Sequence, residues 1–110
     1  MDRILSLLGF AKKAGKLVTG SNAVLRSILS LEAYVVIVNE DAGHSVKEKF
    51  KRLCAENDIK FYIFGRQEEF ERATGEKNKV IYSVCEAGFS NKLMQLIDGL
   101  DKNNGGAVIG

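Results

Sequence analysis

Three short runs of β-branched and aromatic residues constrain the fold of this chain most strongly. They are AYVVIVN at 33–39, IKFYIF at 59–64 and VIYSVC at 80–85. Each run is too short for a confident helix, and such residues fit the pleated surface of a sheet. The run at 33–39 is almost wholly apolar, so it predicts a central strand that is buried on both faces.

Segments with helical periodicity separate these strands. Apolar residues recur at three- and four-residue steps, and glycine or hydroxyl residues mark the ends. Helices are predicted over 2–14, ending at Gly15; from a cap at Ser21 or Asn22 to Leu29; over 45–57, with a capping box of Ser45 and Glu48; over 66–74, closed by Gly75; and from a cap at Ser90 to Leu100. A short strand is predicted at Leu17 and Val18. This alternation predicts an α/β fold, a three-layer α/β/α sandwich with a small mixed sheet.

Length limits the organisation to one domain. The 110 residues can bury one core, since domains most often contain about 100–150 residues. Residues 1–100 are predicted to form this domain. The last ten residues, DKNNGGAVIG at 101–110, show no periodicity and are predicted to be a disordered tail.

Composition excludes several classes of protein. Hydrophobic residues make up 45% and charged residues 27%, as in globular proteins, and no apolar run reaches the roughly 18 residues of a membrane span. Because the N-terminus also lacks a secretory pattern, a cytoplasmic protein with no membrane partner is expected. Cys54 and Cys85 lie far apart among apolar neighbours, so both are predicted to be buried thiols, with no disulfide or bound metal.

Charge is unevenly placed along the chain. Residues 1–31 carry a net charge of +4, whereas the remainder carries −2, which gives the overall +2. The basic residues of this first third are Arg3, Lys12, Lys13, Lys16 and Arg26. The asymmetry favours a polyanionic partner for this part of the chain. A solvated basic face is the alternative interpretation.

The run GFAKKAGKLVTG at 9–20 raises the question of a phosphate-binding loop. A nucleotide-binding P-loop needs four residues between its first glycine and the Gly-Lys pair, then Ser or Thr, all after a strand. Here five residues separate Gly9 from Gly15, Leu17 follows Lys16, and the preceding segment is helical. The run therefore predicts no nucleotide cofactor; it ends the first helix, and its lysines, Lys16 included, are expected to add positive charge beside Gly20.

Candidate catalytic groups are few. His44 is the single histidine, and its place next to a predicted helix start indicates an exposed loop residue. Glu40 and Asp41 follow a buried strand, where α/β folds place ligand groups, and could bind Mg²⁺ as in a receiver domain. A receiver opens with a strand, whereas this chain opens with a helix, so loop capping is favoured. No catalytic residue is assigned, and a small metal-dependent enzyme that uses Glu40 and Asp41 remains an alternative.

Four stretches carry a family resemblance: GFAKKAGKLVTG, GSNAVLR at 20–26, VIVNEDA at 36–42 and SVCEAGFSNKL at 83–93. Together they resemble the YlxQ-type bacterial branch of the ribosomal protein L7Ae family, small α/β/α proteins that bind kink-turn RNA. The resemblance covers roughly residues 3–98. It implies a non-catalytic ribonucleoprotein component that binds structured RNA, needs no cofactor and is expected to be a monomer.

The resemblance also implies which residues contact RNA. Gly20 permits close approach of the backbone, Asn22 matches the family's RNA-contacting amide, and Arg26 matches its basic position one turn later. The full predicted set is Lys16, Gly20, Ser21, Asn22, Arg26, Glu40, Asp41, Lys77 and Lys79.

Two departures from the family pattern change this expectation. Kink-turn binders place Glu after the Asn, to read guanine in sheared G·A pairs, and here that residue is Ala23. The family's apolar closing loop is replaced by the polar residues 76–79. Phosphate contacts should therefore outweigh base readout. The alternative hypothesis is a protein-interaction domain that has kept the fold and lost RNA affinity.

Overall fold

The structure, a computed structural model, describes residues 2–104 and 108–109, with side chains described for residues 2–100. Helices and strands alternate along the chain. They are α1 (Asp2–Lys13), β1 (Leu17–Thr19), α2 (Ser21–Leu29), β2 (Val35–Val38), α3 (His44–Glu56), β3 (Lys60–Ile63), α4 (Gln67–Thr74), β4 (Ile81–Val84), α5 (Ala87–Asn104) and β5 (Val108–Ile109).

The strands form one mixed sheet in the order β1-β4-β2-β3-β5. Among these described strands, only the pair β2–β3 is parallel, and the other pairs are antiparallel. Tyr82 on β4 pairs with Thr19 on β1 and with Ile37 on β2. The carboxyl ends of β1, β2 and β3 therefore meet the start of β4 at one edge of the sheet.

Two apolar clusters, one on each face of the sheet, confirm the three-layer sandwich. Alternate residues of β2 serve opposite faces, as the pleat of a strand requires: Val35 and Ile37 face α1, α4 and α5, whereas Val36 and Val38 face α2 and α3. All four residues are fully buried. The predicted central strand is confirmed, because helices cover both of its faces.

Two predicted helix ends are confirmed by backbone geometry. Gly15 after α1 and Gly75 after α4 have φ values of 72° and 76°. This left-handed conformation suits glycine, which has no Cβ to clash with the backbone. The Gly75 amide closes α4 by donating to the Glu71 carbonyl at 2.8 Å.

The predicted helix starts are less accurate. Gly20, rather than Ser21 or Asn22, occupies the N-cap of α2. The capping box of Ser45 and Glu48 is wrong, because α3 begins at His44 and Ser45 lies inside its first turn. The corresponding bond occurs at α4 instead, where the Arg66 amide donates to the Glu69 carboxylate at 3.0 Å.

The cap predicted for the last helix is also wrong. The helix α5 begins at Ala87, and Ser90 is buried within it. Glu86 provides the cap, because its carboxylate accepts the Phe89 amide at 2.7 Å. This bond, followed by one from the Gly88 amide, lowers the pKa of Glu86. A carboxylate at this position also interacts favourably with the helix dipole.

The structure differs from the disordered tail predicted over 101–110. The helix α5 continues to Asn104, and Val108–Ile109 pair with β3 as an edge strand. β3 pairs with β2 on one side and with β5 on the other. Without β5, the backbone groups on that second side of β3 would be open, as they are in any edge strand. Residues 105–107 and 110 lie outside the described residues.

Substitution of Gly65 tests the packing at the end of β3. Gly65 has φ 73°, and a Cβ there would overlap the ring of Phe70. Gly75 has a similar φ, but a Cβ there would have no atom of the described residues within 4 Å. Gly75→Ala should cost about 1–2 kcal/mol from backbone strain. Gly65→Ala should cost about 1–3 kcal/mol more, from overpacking.

Urea denaturation of both variants measures these free energies of unfolding. Gly75→Ala is the matched control, since it carries the strain without the steric overlap. Equal costs for the two substitutions would show that Phe70 moves aside freely.

Candidate functional site

Several loops converge at the sheet edge where β1 leads into α2. They are residues 19–22, the loop 39–43 after β2, the loop 64–66 after β3 and the loop 75–80 before β4. We call this group of loops the Gly20 edge. It contains all the predicted RNA-contacting residues except Lys16 and Arg26.

The start of α2 is an open helix N-terminus. Gly20 has φ 91°, and its amide donates to the Ile81 carbonyl at 2.9 Å. No side chain of the described residues caps α2, and its first turn contains no acidic residue. Ser21 and Asn22 are exposed. The backbone donors of this turn, together with the positive end of the helix dipole, are therefore suited to an anion.

Lys79 adds a positive charge at the same place. Its side chain lies across Gly20, so that a Cβ on Gly20 would be 3.3 Å from the Lys79 Nζ. Such a Cβ would press on the Lys79 side chain and would also be strained at this φ. Glycine at residue 20 thus allows the helix start and the lysine to lie side by side.

A buried pair of polar side chains holds the loop that carries Lys79. The Tyr82 hydroxyl donates to the Lys79 carbonyl at 2.7 Å and lies 3.0 Å from the Asn39 Oδ1. The Asn39 side chain donates to the Phe64 carbonyl at 3.3 Å. Both side chains are completely buried, and burial raises the pKa of Tyr82. This pair was not predicted from the sequence, although an Asn at the end of an apolar strand was a visible signal.

Glu76 is a second residue that the sequence analysis did not assign. Its carboxylate bonds to Lys12 at 2.8 Å and accepts the Thr19 hydroxyl at 3.3 Å. The bond and charge of Lys12 lower the pKa of Glu76, with smaller effects from Thr19 and Lys79. This acid therefore ties the loop 75–80 to α1 and β1.

The two acids after β2 have different surroundings. Both oxygens of Asp41 face the start of α4: Oδ1 accepts the Gln67 amide at 3.0 Å, and Oδ2 lies 3.9 Å from the Arg66 guanidinium. The Glu40 carboxylate is exposed, while its backbone carbonyl accepts the Lys47 ammonium at 2.6 Å. Asp41 thus performs the loop-capping role favoured from the sequence.

The three remaining predicted residues lie at different places relative to the sheet. Lys77 is exposed in the loop of the Gly20 edge, and Arg26 is exposed on α2, one turn beyond Asn22. Lys16 precedes β1 and therefore lies at the opposite end, where its carbonyl accepts the Cys85 amide at 2.8 Å. The expectation that Lys16 adds charge beside Gly20 is wrong, because the extended strand β1 separates the two residues.

No group of three His, Cys, Asp or Glu side chains is arranged to hold a metal ion in the part of the chain described here. Among residues 2–104 and 108–109, none of the helices combines the length and apolar character that crossing a bilayer requires. Cys54 is buried, and burial raises its pKa to about 12. Cys85 is only partly exposed.

The fold and this edge define a class: a small α/β/α domain with an open helix N-terminus flanked by lysine. The sequence profile of the ribosomal protein L7Ae/L30e/S12e/Gadd45 family matches residues 2–94. The chain belongs to this family, as a YlxQ-type member.

Two bacterial relatives support this assignment. The RNA-binding protein YlxQ of Bacillus subtilis is 30% identical over 92 residues, covering 84% of this chain and 92% of the relative. The RNA-binding protein YlxQ of Enterococcus faecium is 29% identical over 98 residues, covering 89% of this chain and 94% of the relative. The similarity thus spans nearly the whole of both relatives.

Solved structures show the same fold. A protein of unknown function from Bacillus halodurans superimposes with a TM-score of 0.85 at 36% identity, covering 89% of this chain and 99% of that one. The Giardia lamblia 15.5kD RNA binding protein gives a TM-score of 0.72 at 16% identity, covering 87% and 85% of the two chains. The second likeness shows the fold alone.

Removal of the Lys12 charge tests the bond to Glu76. Lys12→Met should raise the pKa of Glu76 towards its ordinary value, because the largest effect that lowers it is lost. The wild-type bond stabilises the fold above the unfolded-state pKa of Glu76, and this stabilisation is lost as the pH falls through the lower folded-state pKa.

NMR titration of the Glu76 carboxyl carbon measures this shift. Arg72→Met is a matched control, since Arg72 pairs with Glu68 at 3.0 Å and does not contact Glu76. An unchanged Glu76 titration in Lys12→Met would exclude Lys12 as the cause.

Proposed function

We propose that this protein is a non-catalytic RNA-binding protein that recognises structured, kink-turn-like RNA through the Gly20 edge. The observation that carries this proposal is the open start of α2 with the Lys79 ammonium beside Gly20. Two relatives of similar length are named RNA-binding proteins, which supports RNA as the polyanion. Residues 1–100 would form the binding domain, acting as a cytoplasmic monomer in association with ribosomal or other structured RNA.

Phosphate contact is the first part of the proposed mechanism. A backbone phosphate of the RNA would accept hydrogen bonds from the free backbone amides in the first turn of α2, where the helix dipole favours negative charge. Lys79 would supply the opposing charge from the adjacent loop, and exposed Lys77 would extend it. The Ser21 hydroxyl would donate to the same phosphate group.

Base contact is the second part, and Asn22 carries it. Its exposed amide can both donate to and accept from a base edge. The neighbouring residue, Ala23, cannot accept a hydrogen bond with its side chain, so one contact available to a carboxylate is missing. Arg26 lies at i+4 from Asn22, on the same face of α2, and would contact the next phosphate.

The acids at this edge have supporting roles in the proposal. Asp41 and Glu76 both engage protein groups, Asp41 at the start of α4 and Glu76 with Lys12. They orient loops rather than oppose the RNA charge. The exposed Glu40 carboxylate is available to accept a hydrogen bond from a base.

Substitutions at the start of α2 test base readout. Ala23→Glu should tighten binding to RNA with tandem sheared G·A pairs by about 1–3 kcal/mol, the range of one good base contact. Asn22→Ala should weaken the same binding. Its stability should be nearly unchanged, because Gly20 and not Asn22 is the N-cap.

Calorimetric titration against a kink-turn RNA and against a matched duplex measures both effects. In the duplex, Watson–Crick pairs replace the sheared pairs. The affinity for the duplex should therefore be unchanged or slightly weaker in Ala23→Glu. If neither substitution changes the ratio of the two affinities, the RNA does not meet this helix start, and the protein-interaction hypothesis becomes the better one.

Salt dependence tests the phosphate contacts. Binding releases counterions from RNA, so affinity should fall steeply with salt concentration. Lys79→Gln and Arg26→Gln should each lower the slope of log K against log salt by about one. Lys51→Gln is the control, because Lys51 is exposed on α3, away from the Gly20 edge.

Gel-shift titrations at four or more salt concentrations give these slopes. A slope that falls equally in all three variants would indicate a general charge effect. A slope unchanged in Lys79→Gln would remove this lysine from the interface.

A further inference from the structure

Three adjacent strands place Lys16, Cys85 and Tyr34 in a row at the end of the sheet opposite the Gly20 edge. The Cys85 amide donates to the Lys16 carbonyl at 2.8 Å, and the Tyr34 amide donates to the Val84 carbonyl at 2.9 Å. Because β4 lies between β1 and β2, Lys16 and Tyr34 flank Cys85 about 10 Å apart, twice the spacing of strands. These backbone hydrogen bonds fix the positions of the three residues relative to one another.

This row lines a cavity on the α2 side of the sheet. The helix α2 ends at Leu29, and the residues that line this cavity lie outside it. The turn that follows forms one wall, through Leu31 and Glu32. The cavity has a volume of about 410 Å³, and Lys16, Tyr34 and Cys85 all line it.

Exposed apolar side chains line this cavity, as Leu31 and Tyr34 do, or lie close to it in the chain, as Leu29 does. Leu29, Leu31 and Tyr34 expose 64%, 83% and 52% of their surfaces. Leu31 also has a positive φ of 64°, an uncommon conformation for a bulky residue. Among the described residues, the Lys16 ammonium forms no ion pair, although its charge is the smallest of the effects that lower the pKa of Glu86. An aromatic face and a cation are therefore both available to a ligand.

The chemistry of this pair suits one unpaired nucleotide. Single-stranded nucleic acids bind where a base stacks on an aromatic ring while a nearby cation contacts the phosphate. Tyr34 provides the ring and Lys16 the cation, while the Glu32 carboxylate in the wall could accept a base amino group. A purely apolar peptide would contact Leu31 and Tyr34 but would make no use of the Lys16 charge.

The exposed face of α2 connects this cavity to the Gly20 edge. Asn22, Arg26 and Leu29 follow one another at helical spacing and are all exposed. The nine residues of α2 span about 13 Å, with Arg26 in the middle as a phosphate contact. A strand of RNA could thus follow α2 from one end of the sheet to the other.

We propose that the Lys16–Tyr34 cavity binds an unpaired nucleotide that flanks the structured RNA held at the Gly20 edge. This inference rests on the proposed RNA-binding function and extends it to a single-stranded segment. In this proposal Lys16 contacts RNA at the cavity and not at the Gly20 edge.

Paired RNA probes test this proposal. One kink-turn RNA has blunt ends, and two others carry a five-uridine tail on either the 5′ or the 3′ end. One tailed RNA should bind wild-type protein more tightly than the blunt RNA, on the order of tenfold, as expected for one stacked base. Tyr34→Ala should abolish this gain, whereas Tyr34→Phe, which keeps the ring, should retain it.

Two controls separate this site from general effects. Phe10→Ala removes an aromatic ring of similar exposure, 59%, from α1, and should keep the gain. Alkylation by iodoacetamide reports the cavity directly: the tailed RNA should protect Cys85, and the blunt RNA should not. Cys54 is the internal reference, since it is buried with its pKa raised to about 12.

The outcomes distinguish this inference from the function on which it rests. If the blunt RNA does not bind wild-type protein, the proposed function fails, and the cavity proposal fails with it. If the blunt RNA binds but neither tail adds affinity, only the cavity proposal is overturned. A gain that survives Tyr34→Ala, with Cys85 unprotected, would likewise overturn it and leave this surface to a protein partner.

Discussion

The buried contact between Asn39 and Tyr82 organises the Gly20 edge. The side-chain amide of Asn39 donates to the Phe64 carbonyl at 3.3 Å, and its backbone amide donates to the Val80 carbonyl at 2.8 Å. Tyr82 holds the Lys79 carbonyl. Leaving such a buried group without a partner costs about 1–3 kcal/mol, so this polar pair favours one arrangement of three strand ends. That arrangement brings Lys79 to the start of α2.

At the Gly20 edge, the contacts that each charged side chain makes, and not the number of charges of each sign, determine which charge faces the start of α2. The loop 75–80 carries one acid and two lysines, so the acid would offset half of the positive charge in a disordered segment. In the folded protein, Glu76 turns to Lys12 and Thr19, while Lys79 lies across Gly20. The start of α2 therefore has a cation beside it, Lys79, and no carboxylate within its first turn. This local separation favours an anion, although the whole chain has a net charge of only +2.

Much of the fold could be predicted from the sequence, because it depends on local patterns. Short β-branched runs indicated the three main strands, and the glycines at 15 and 75 marked two helix ends. Helix starts were harder, because the cap is decided by where the preceding chain enters. Gly43 precedes α3 and Glu86 caps α5, although Ser45 and Ser90 are the better cap residues by preference alone. The roles of Asn39 and Glu76 depend on contacts between distant segments, which no local pattern shows.

The order of apolar residues was enough to predict the alternation of helices and strands and the burial of both sheet faces, and four short stretches of sequence were enough for the family resemblance. Which charged residues share a surface depends instead on contacts between distant segments of the folded chain. Gly20 and Lys79 are 59 positions apart in the chain, yet they touch, because β1 and β4 are neighbours in the sheet. Lys16 and Gly20 are close in sequence but lie at opposite ends, because an extended strand carries the chain about 3.3 Å further with each residue.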